Sequence, residues 1–293
     1  MKKLLVIGAL SLSQFLIAQI PYGSNPKVGK RIQVGDISMY YEIYGKGEPL
    51  ILLHGGYGSS EMMGGMIEAF SKKYQVIAVD SRSQGRTTDS DEKELTYSQM
   101  ALDVNMFMDL LKIKSAKFVG WSDGGDIALE LALIHPEKIN KAVAIGSNFL
   151  GASKGVFLGS DTTWKMNPDD PLFAKTKGEM TKYFSTYERM ATDKNKIASA
   201  KQKVTDNSIK NPNFTLNQLN SIQVPFLIMA GDHDMFTLEH TIALYQNLPK
   251  ASLYIVPDAT HISPFEEPEL IHSEILRYLN KPYRKLDAFY FWK

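Results

Sequence analysis

Along the chain, unbroken apolar runs alternate with stretches whose apolar residues return every third or fourth position. Pro49-Leu50-Ile51-Leu52-Leu53, Tyr74 to Val79 and Ala116 to Trp121 are continuous runs of the kind that a strand buried on both faces needs. Between the last two, Tyr97 to Ile113 carries Met100, Val104, Phe107, Met108 and Leu111 near helical spacing. Upstream, Arg31 to Tyr44 alternates about Gly35-Asp36 and predicts two short strands in a hairpin. Downstream, the pattern predicts a helix over Gly124 to Ile134, stopped by His135-Pro136, and a strand over Lys141 to Ile145. It resumes with strand Val224 to Ala230, helix Leu238 to Asn247, strand Ser252 to Val256 and helix Glu267 to Leu279. Buried strands alternating with amphipathic helices imply an α/β fold with a mostly parallel, doubly wound sheet.

The alternation breaks from about Phe149 to Gln223, where no strand-like run occurs and Lys177 to Met190 and Lys194 to Val204 look helical. A structureless loop of that length is out of place in a compact domain, so an inserted helical lid over the site is expected. Its aromatic residues Trp164, Phe173, Tyr183, Phe184 and Tyr187 suit a cavity wall and core packing equally well. The expected organisation is a first core part over residues 19–148, a cap over 149–223 and a second core part over 224–293. Ahead of these, Met1-Lys2-Lys3 and the apolar stretch Leu4 to Ala18 read as a signal peptide over residues 1–18, too short and Ser/Gln-interrupted for a membrane span. A secreted or periplasmic protein without stable membrane anchoring is the expectation. The aromatic C-terminal residues Phe289 to Trp292 are expected to pack, because exposed aromatic clusters are costly.

Composition narrows the function classes further. The 293 residues are 44% hydrophobic and 22% charged, an ordinary globular balance, and the net charge of +1 offers no basic field for nucleic acid. The absence of cysteine removes disulfides, a thiol nucleophile and a lipidated N-terminal cysteine at once.

Chemistry concentrates where strands end. Gly120-Trp121-Ser122-Asp123-Gly124 lies between a predicted strand and a predicted helix, the setting in which a sharp turn lifts a serine hydroxyl above a sheet as a nucleophile. His54-Gly55-Gly56-Tyr57-Gly58 follows another strand, and the N–H groups of Gly56 and Asp123 are the expected donors to an oxyanion. A serine needs a base and the base an orienting acid. Asp232 and Asp234 follow one later strand and His261 the next, in the order acid then histidine. Asp123, Tyr57 and Trp121, beside the nucleophile, are the candidate substrate contacts. His233 sits between two aspartates, yet consecutive residues on one turn do not converge on an ion, so no metal is expected. His54 reads as structural, and His135, His240 and His272, on helical patterns, as surface residues.

These elements, with the stretch Asp80 to Arg86 similar to D-x-R-G-x-G-x-S, resemble the α/β-hydrolase superfamily over nearly all of the chain beyond residue 18. Ser83 and Thr87 depart from that stretch's usual residues, and Asp80 and Arg82 read as structural. The resemblance implies Ser122, Asp234 and His261 as a catalytic triad, because the family's acid is usually the fourth residue of its G-x-x-D element. It implies a cofactor-free carboxylic esterase acting on a small-molecule ester through an acyl-enzyme. Amides, lactones, thioesters and carbon–carbon bonds are cleaved by the same triad elsewhere in the superfamily, and a ligand-binding receptor is the non-enzymatic alternative. Haloalkane dehalogenases and epoxide hydrolases are disfavoured because they use Asp where this chain has Ser122. The form Gly-Trp-Ser-Asp-Gly-Gly is similar to that of valacyclovir-hydrolase-like enzymes, which implies that Asp123 faces the amino group of amino-acid esters. From the residues alone, Asp123 equally well caps local backbone or pairs with Arg82 or Arg86.

Overall fold

The computed structural model describes residues 20–89, 94–156, 178, 181, 183 and 185–286. Residues 1–18, Trp164, Phe173, Phe184 and the aromatic stretch Phe289 to Trp292 therefore lie outside the described residues. No helix among the described residues is long and apolar enough to cross a membrane.

Eight strands form one sheet: β1 (Lys30–Val34), β2 (Ile37–Tyr44), β3 (Pro49–Leu53), β4 (Gln75–Val79), β5 (Ala116–Trp121), β6 (Ile139–Ile145), β7 (Phe226–His233) and β8 (Ala251–Thr260), in the spatial order β1-β2-β4-β3-β5-β6-β7-β8. The hairpin β1–β2 joins β4 antiparallel and every later pairing is parallel. Parallel strands need crossovers, and these carry α1 (Gly64–Phe70), α2 (Tyr97–Leu110), α3 (Asp123–Ile134), α4 (Ile197–Lys210), α5 (Leu216–Ser221) and α6 (Leu238–Asn247), while α7 (Ser263–Glu266) and α8 (Pro268–Leu279) follow the last strand.

The period of two along each strand splits the core into two halves. Ile51, Leu53, Ile77 and Val79 pack with Phe107 of α2 and Ile127 of α3, whereas Leu50, Leu52, Val76 and Ala78 pack with Ile67 of α1 and Ile275 of α8. The runs are apolar throughout because both faces are covered. That is the doubly wound α/β arrangement the sequence implied.

Three local expectations need correction. Helix α1 has no counterpart in the pattern of apolar positions, because Gly64 and Gly65 and its seven-residue length hide the helical period. His240, expected at the surface, is buried. Its ring stacks on Phe149 at 4.2 Å between centroids and its Nε2 accepts from the Phe149 N–H, while burial lowers its pKa to about 4. His272 is half-buried against the edge of Phe70, and burial lowers its pKa too.

Candidate active site

Strands β5, β7 and β8 run parallel in the sheet, so their carboxyl ends share one edge, where open α/β sheets place their sites. Ser122 follows β5 directly and has φ 53° and ψ −124°, a left-handed backbone that a residue with a Cβ adopts only when its surroundings enforce it. What enforces it is the crossing of strand and helix. A Cβ on Gly120 would stand 2.2 Å from the Gly124 carbonyl oxygen, and one on Gly124 would stand 2.2 Å from the Leu53 carbonyl oxygen, so α3 starts against the sheet only with glycine at both places. The Ser122 N–H donates to the Ile145 carbonyl at 2.7 Å and fixes the turn to β6.

His261 stands just past β8 with its Nε2 3.0 Å from Ser122 Oγ and its Nδ1 2.9 Å from Asp234 Oδ1. The Trp121 indole N–H donates to the His261 carbonyl at 2.9 Å, and Phe236 meets the imidazole edge-on. Asp234 is 2% exposed, and its Oδ1 also accepts from the Phe236 N–H. Asp232, which the residues alone left equivalent to Asp234, turns the other way: its carboxylate accepts from the Ala259 N–H and lies beside His233.

Asp258 of β8 faces Asp232 and His233, with one ligand atom of each within 4.8 Å of the others. Consecutive Asp232 and His233, read from the sequence as unable to converge on an ion, thus do stand together with a third candidate ligand. All three are exposed, however, and Asp232 is already engaged by the Ala259 N–H and His233.

The glycine-rich loop after β3 is built around His54. Its Nε2 accepts from the Ser81 N–H at 2.9 Å, so the ring proton sits on Nδ1 and is donated to the Gly55 carbonyl at 2.7 Å. Burial holds this imidazole below its usual pKa, which fits a neutral ring and the structural role read from the sequence. The Gly58 N–H reaches the same carbonyl at 3.1 Å. A peptide unit is planar and trans, so fixing the Gly55 carbonyl from two donors aims the Gly56 N–H to the opposite side. The Asp123 N–H is the first of α3 and has no partner within its own helix.

Asp123 is the least ordinary residue here. Neither Arg82 nor Arg86 reaches it, contrary to one reading of the sequence: Arg82 is held by Asp103 and Asp36, and Arg86 lies against Asp80 and Glu61. Its Oδ1 accepts from the Tyr97 hydroxyl at 2.9 Å, and its Oδ2 is buried with no hydrogen-bond partner among the described residues. Burial raises its pKa to about 6, against the opposing pull of the Tyr97 hydroxyl and the nearby His261.

A carboxyl whose folded pKa lies above its unfolded value binds its proton longer in the folded chain. Stability is then greatest below the ordinary carboxylate range, falls as the pH rises toward about 6, and stays lowered above it. Asp123→Asn keeps an acceptor for Tyr97 and removes the charge. Its melting temperature is expected to exceed that of the wild type at pH 8, by up to the order of 3 kcal/mol in stability, with the gap closing near pH 4. An equal gap at both pH values in calorimetry would contradict this.

Fold and edge arrangement together define an enzyme of the hydrolase class. The chain belongs to the α/β-hydrolase fold family, whose family model matches residues 48–154 and 148–268. The uncharacterized hydrolase YugF of Bacillus subtilis (strain 168) is 26% identical over 272 residues, which cover 85% of this chain and 97% of that one. The carboxylesterase YbfK of the same organism is 26% identical, over 78% of this chain and 79% of its own. Among solved structures, a meta-cleavage product hydrolase from Pseudomonas fluorescens IP01 superposes with a TM-score of 0.72 at 21% identity, covering 87% of this chain and 99% of that one.

Proposed function

We propose that the protein is a serine hydrolase that cleaves small carboxylic esters, with Ser122 as nucleophile, His261 as base and Asp234 as the acid that orients it. The observation that carries this reading is the continuous path from Ser122 Oγ to His261 Nε2 at 3.0 Å and from His261 Nδ1 to Asp234 Oδ1 at 2.9 Å. Ser122 Oγ attacks the ester carbonyl while His261 Nε2 takes its proton, and Asp234 stabilises the imidazolium through the Nδ1 proton. The N–H groups of Gly56 and Asp123 hold the oxyanion. His261 then gives the proton to the leaving alcohol, and water enters by the same route to release the acid and free Ser122.

Asp123 and Tyr57 are the substrate contacts this reading favours, whereas Trp121 is buried with its ring against His261, Tyr183 and Phe265. The free Oδ2 of Asp123 supports selection of acyl groups that carry a cation, in line with the amino-acid esters that the elbow's form suggests. Asp123→Asn is then expected to lower kcat/KM for an aminoacyl ester by roughly tenfold relative to a neutral ester, the scale of one buried charged contact. An unchanged ratio would remove this selectivity from the proposal.

The broader test is a substrate panel of p-nitrophenyl acetate, butyrate and alanyl esters beside an amino-acid amide and a carbon–carbon substrate. Ester turnover well above the other two supports the proposal. Preference for the amide or the carbon–carbon bond moves the function to that branch of the family. Tight stoichiometric binding without turnover makes the protein a receptor.

A further inference from the structure

The glycine-rich loop is held from two sides. From the core, His54 and Gly58 fix the Gly55 carbonyl, as described above. From the other side come residues of the segment between β6 and β7. The Tyr57 hydroxyl lies 2.6 Å from Thr205 Oγ1 on α4, its ring meets the edge of Tyr187 at 6.0 Å, and the Tyr183 hydroxyl donates to the Gly56 carbonyl. Tyr187 is itself fixed to the core, donating to the Ser83 carbonyl at 2.8 Å.

The direction of the Tyr57–Thr205 bond follows from proton counting. Thr205 has one hydroxyl proton and gives it to the Lys201 carbonyl at 3.0 Å, one helical turn back. Its oxygen therefore accepts, and Tyr57 donates. What makes this bond more than a surface contact is the backbone it restrains. Tyr57 has φ 60°, in the left-handed region that a residue with a Cβ leaves when nothing holds it. Rotation of φ toward its usual negative value turns the Gly56–Tyr57 peptide and opens the turn that the Gly58 N–H closes onto the Gly55 carbonyl, the oxygen of the peptide unit that carries the Gly56 N–H. Gly56 carries an N–H assigned above to the oxyanion.

We infer that Thr205, acting through the hydroxyl of Tyr57, is a positioning residue for the oxyanion hole, so that α4 sets the geometry in which Gly56 meets the developing charge. The inference rests on the proposed serine-hydrolase reading. It adds a dependence of the chemical step on a residue that touches neither the triad nor the oxyanion.

The experiment compares Thr205→Val, which keeps the shape and loses the acceptor, with Thr205→Ser, which keeps the acceptor, and with Tyr57→Phe. Each is assayed with p-nitrophenyl butyrate and titrated with an alkyl trifluoromethyl ketone. Ser122 Oγ adds to the carbonyl carbon of that ketone, its proton passes to His261, and the former carbonyl oxygen becomes an anion in the oxyanion hole. Losing a whole donor from such a hole costs on the order of a hundredfold in rate, so a misaimed donor is expected to cost roughly tenfold. Thr205→Val should lower kcat about tenfold with KM within about twofold and weaken the ketone by a similar factor. Thr205→Ser should stay near wild type, and Tyr57→Phe combined with Thr205→Val should be no worse than either alone.

The inference is overturned if Thr205→Val leaves kcat and ketone affinity unchanged, if it raises KM alone, or if Thr205→Ser fails as Thr205→Val does. A wild type that neither turns over esters nor binds the ketone overturns the serine-hydrolase reading and the inference together. A wild type that does both while the variants do not differ overturns the inference alone.

Discussion

Replacing Ser122 with alanine is expected to lower kcat for p-nitrophenyl butyrate by roughly ten-thousandfold or more while KM changes little. The hydroxyl is the atom to which His261 and, behind it, Asp234 are directed, at 3.0 and 2.9 Å along the path. Members of such a unit are not additive, so the loss of one approaches the loss of all, and what remains is polarisation by the oxyanion donors. Stability should hardly move. Alanine also carries a Cβ, so the left-handed backbone at φ 53° is no more and no less strained than with serine. A loss in kcat below about tenfold with a normal melting curve would remove Ser122 from the nucleophile's role.

The second large effect falls on folding. Gly124→Ala places a methyl group 2.2 Å from the Leu53 carbonyl oxygen and 2.6 Å from its carbonyl carbon. Both atoms are backbone, and Leu53 is the last residue of β3 in the middle of the sheet, so relief requires moving α3 away from its strands. A loss on the order of 3 to 5 kcal/mol is expected, against a total stability of roughly 5 to 15 kcal/mol for a protein of this kind. Chemical denaturation should show an early midpoint or no folded protein. Gly65→Ala provides the contrast within the same chain. Gly65 is exposed in α1, and its added Cβ meets only His272 Cε1 at an ordinary 3.5 Å. There alanine should stabilise by up to about 1 kcal/mol through its better helix propensity. Comparable losses at both positions would show that close packing at the elbow is not the cause.

The parts of the molecule legible in the sequence are those governed by local rules. β3 and β5 showed as unbroken apolar runs because each is covered on both faces, and the β1–β2 hairpin showed through alternation about Gly35-Asp36. The order Ser122, Asp234, His261 was readable because each stands where a strand gives way to a turn. Helix α1 was not, since paired glycines erase a period that tertiary packing of Ile67 and Phe70 restores. The choice between Asp232 and Asp234 needed the family's pattern, because two acids with a single residue between them point to opposite sides of a bend. The partner of Asp123 was missed for a different reason. Charge suggested an arginine, whereas the fold delivers Tyr97 from α2 and commits both arginines to other acids. The Tyr57–Thr205 contact joins positions 148 residues apart, a distance over which no spacing rule operates.

One measurement addresses the central claim directly. The wild type is treated with a fluorophosphonate, digested and mapped by mass spectrometry, with Ser122→Ala alongside. A single adduct on the peptide that contains Ser122, absent from the alanine variant, is the expected result. An adduct on another residue, or labelling that persists in Ser122→Ala, would contradict the assignment of Ser122 as the nucleophile.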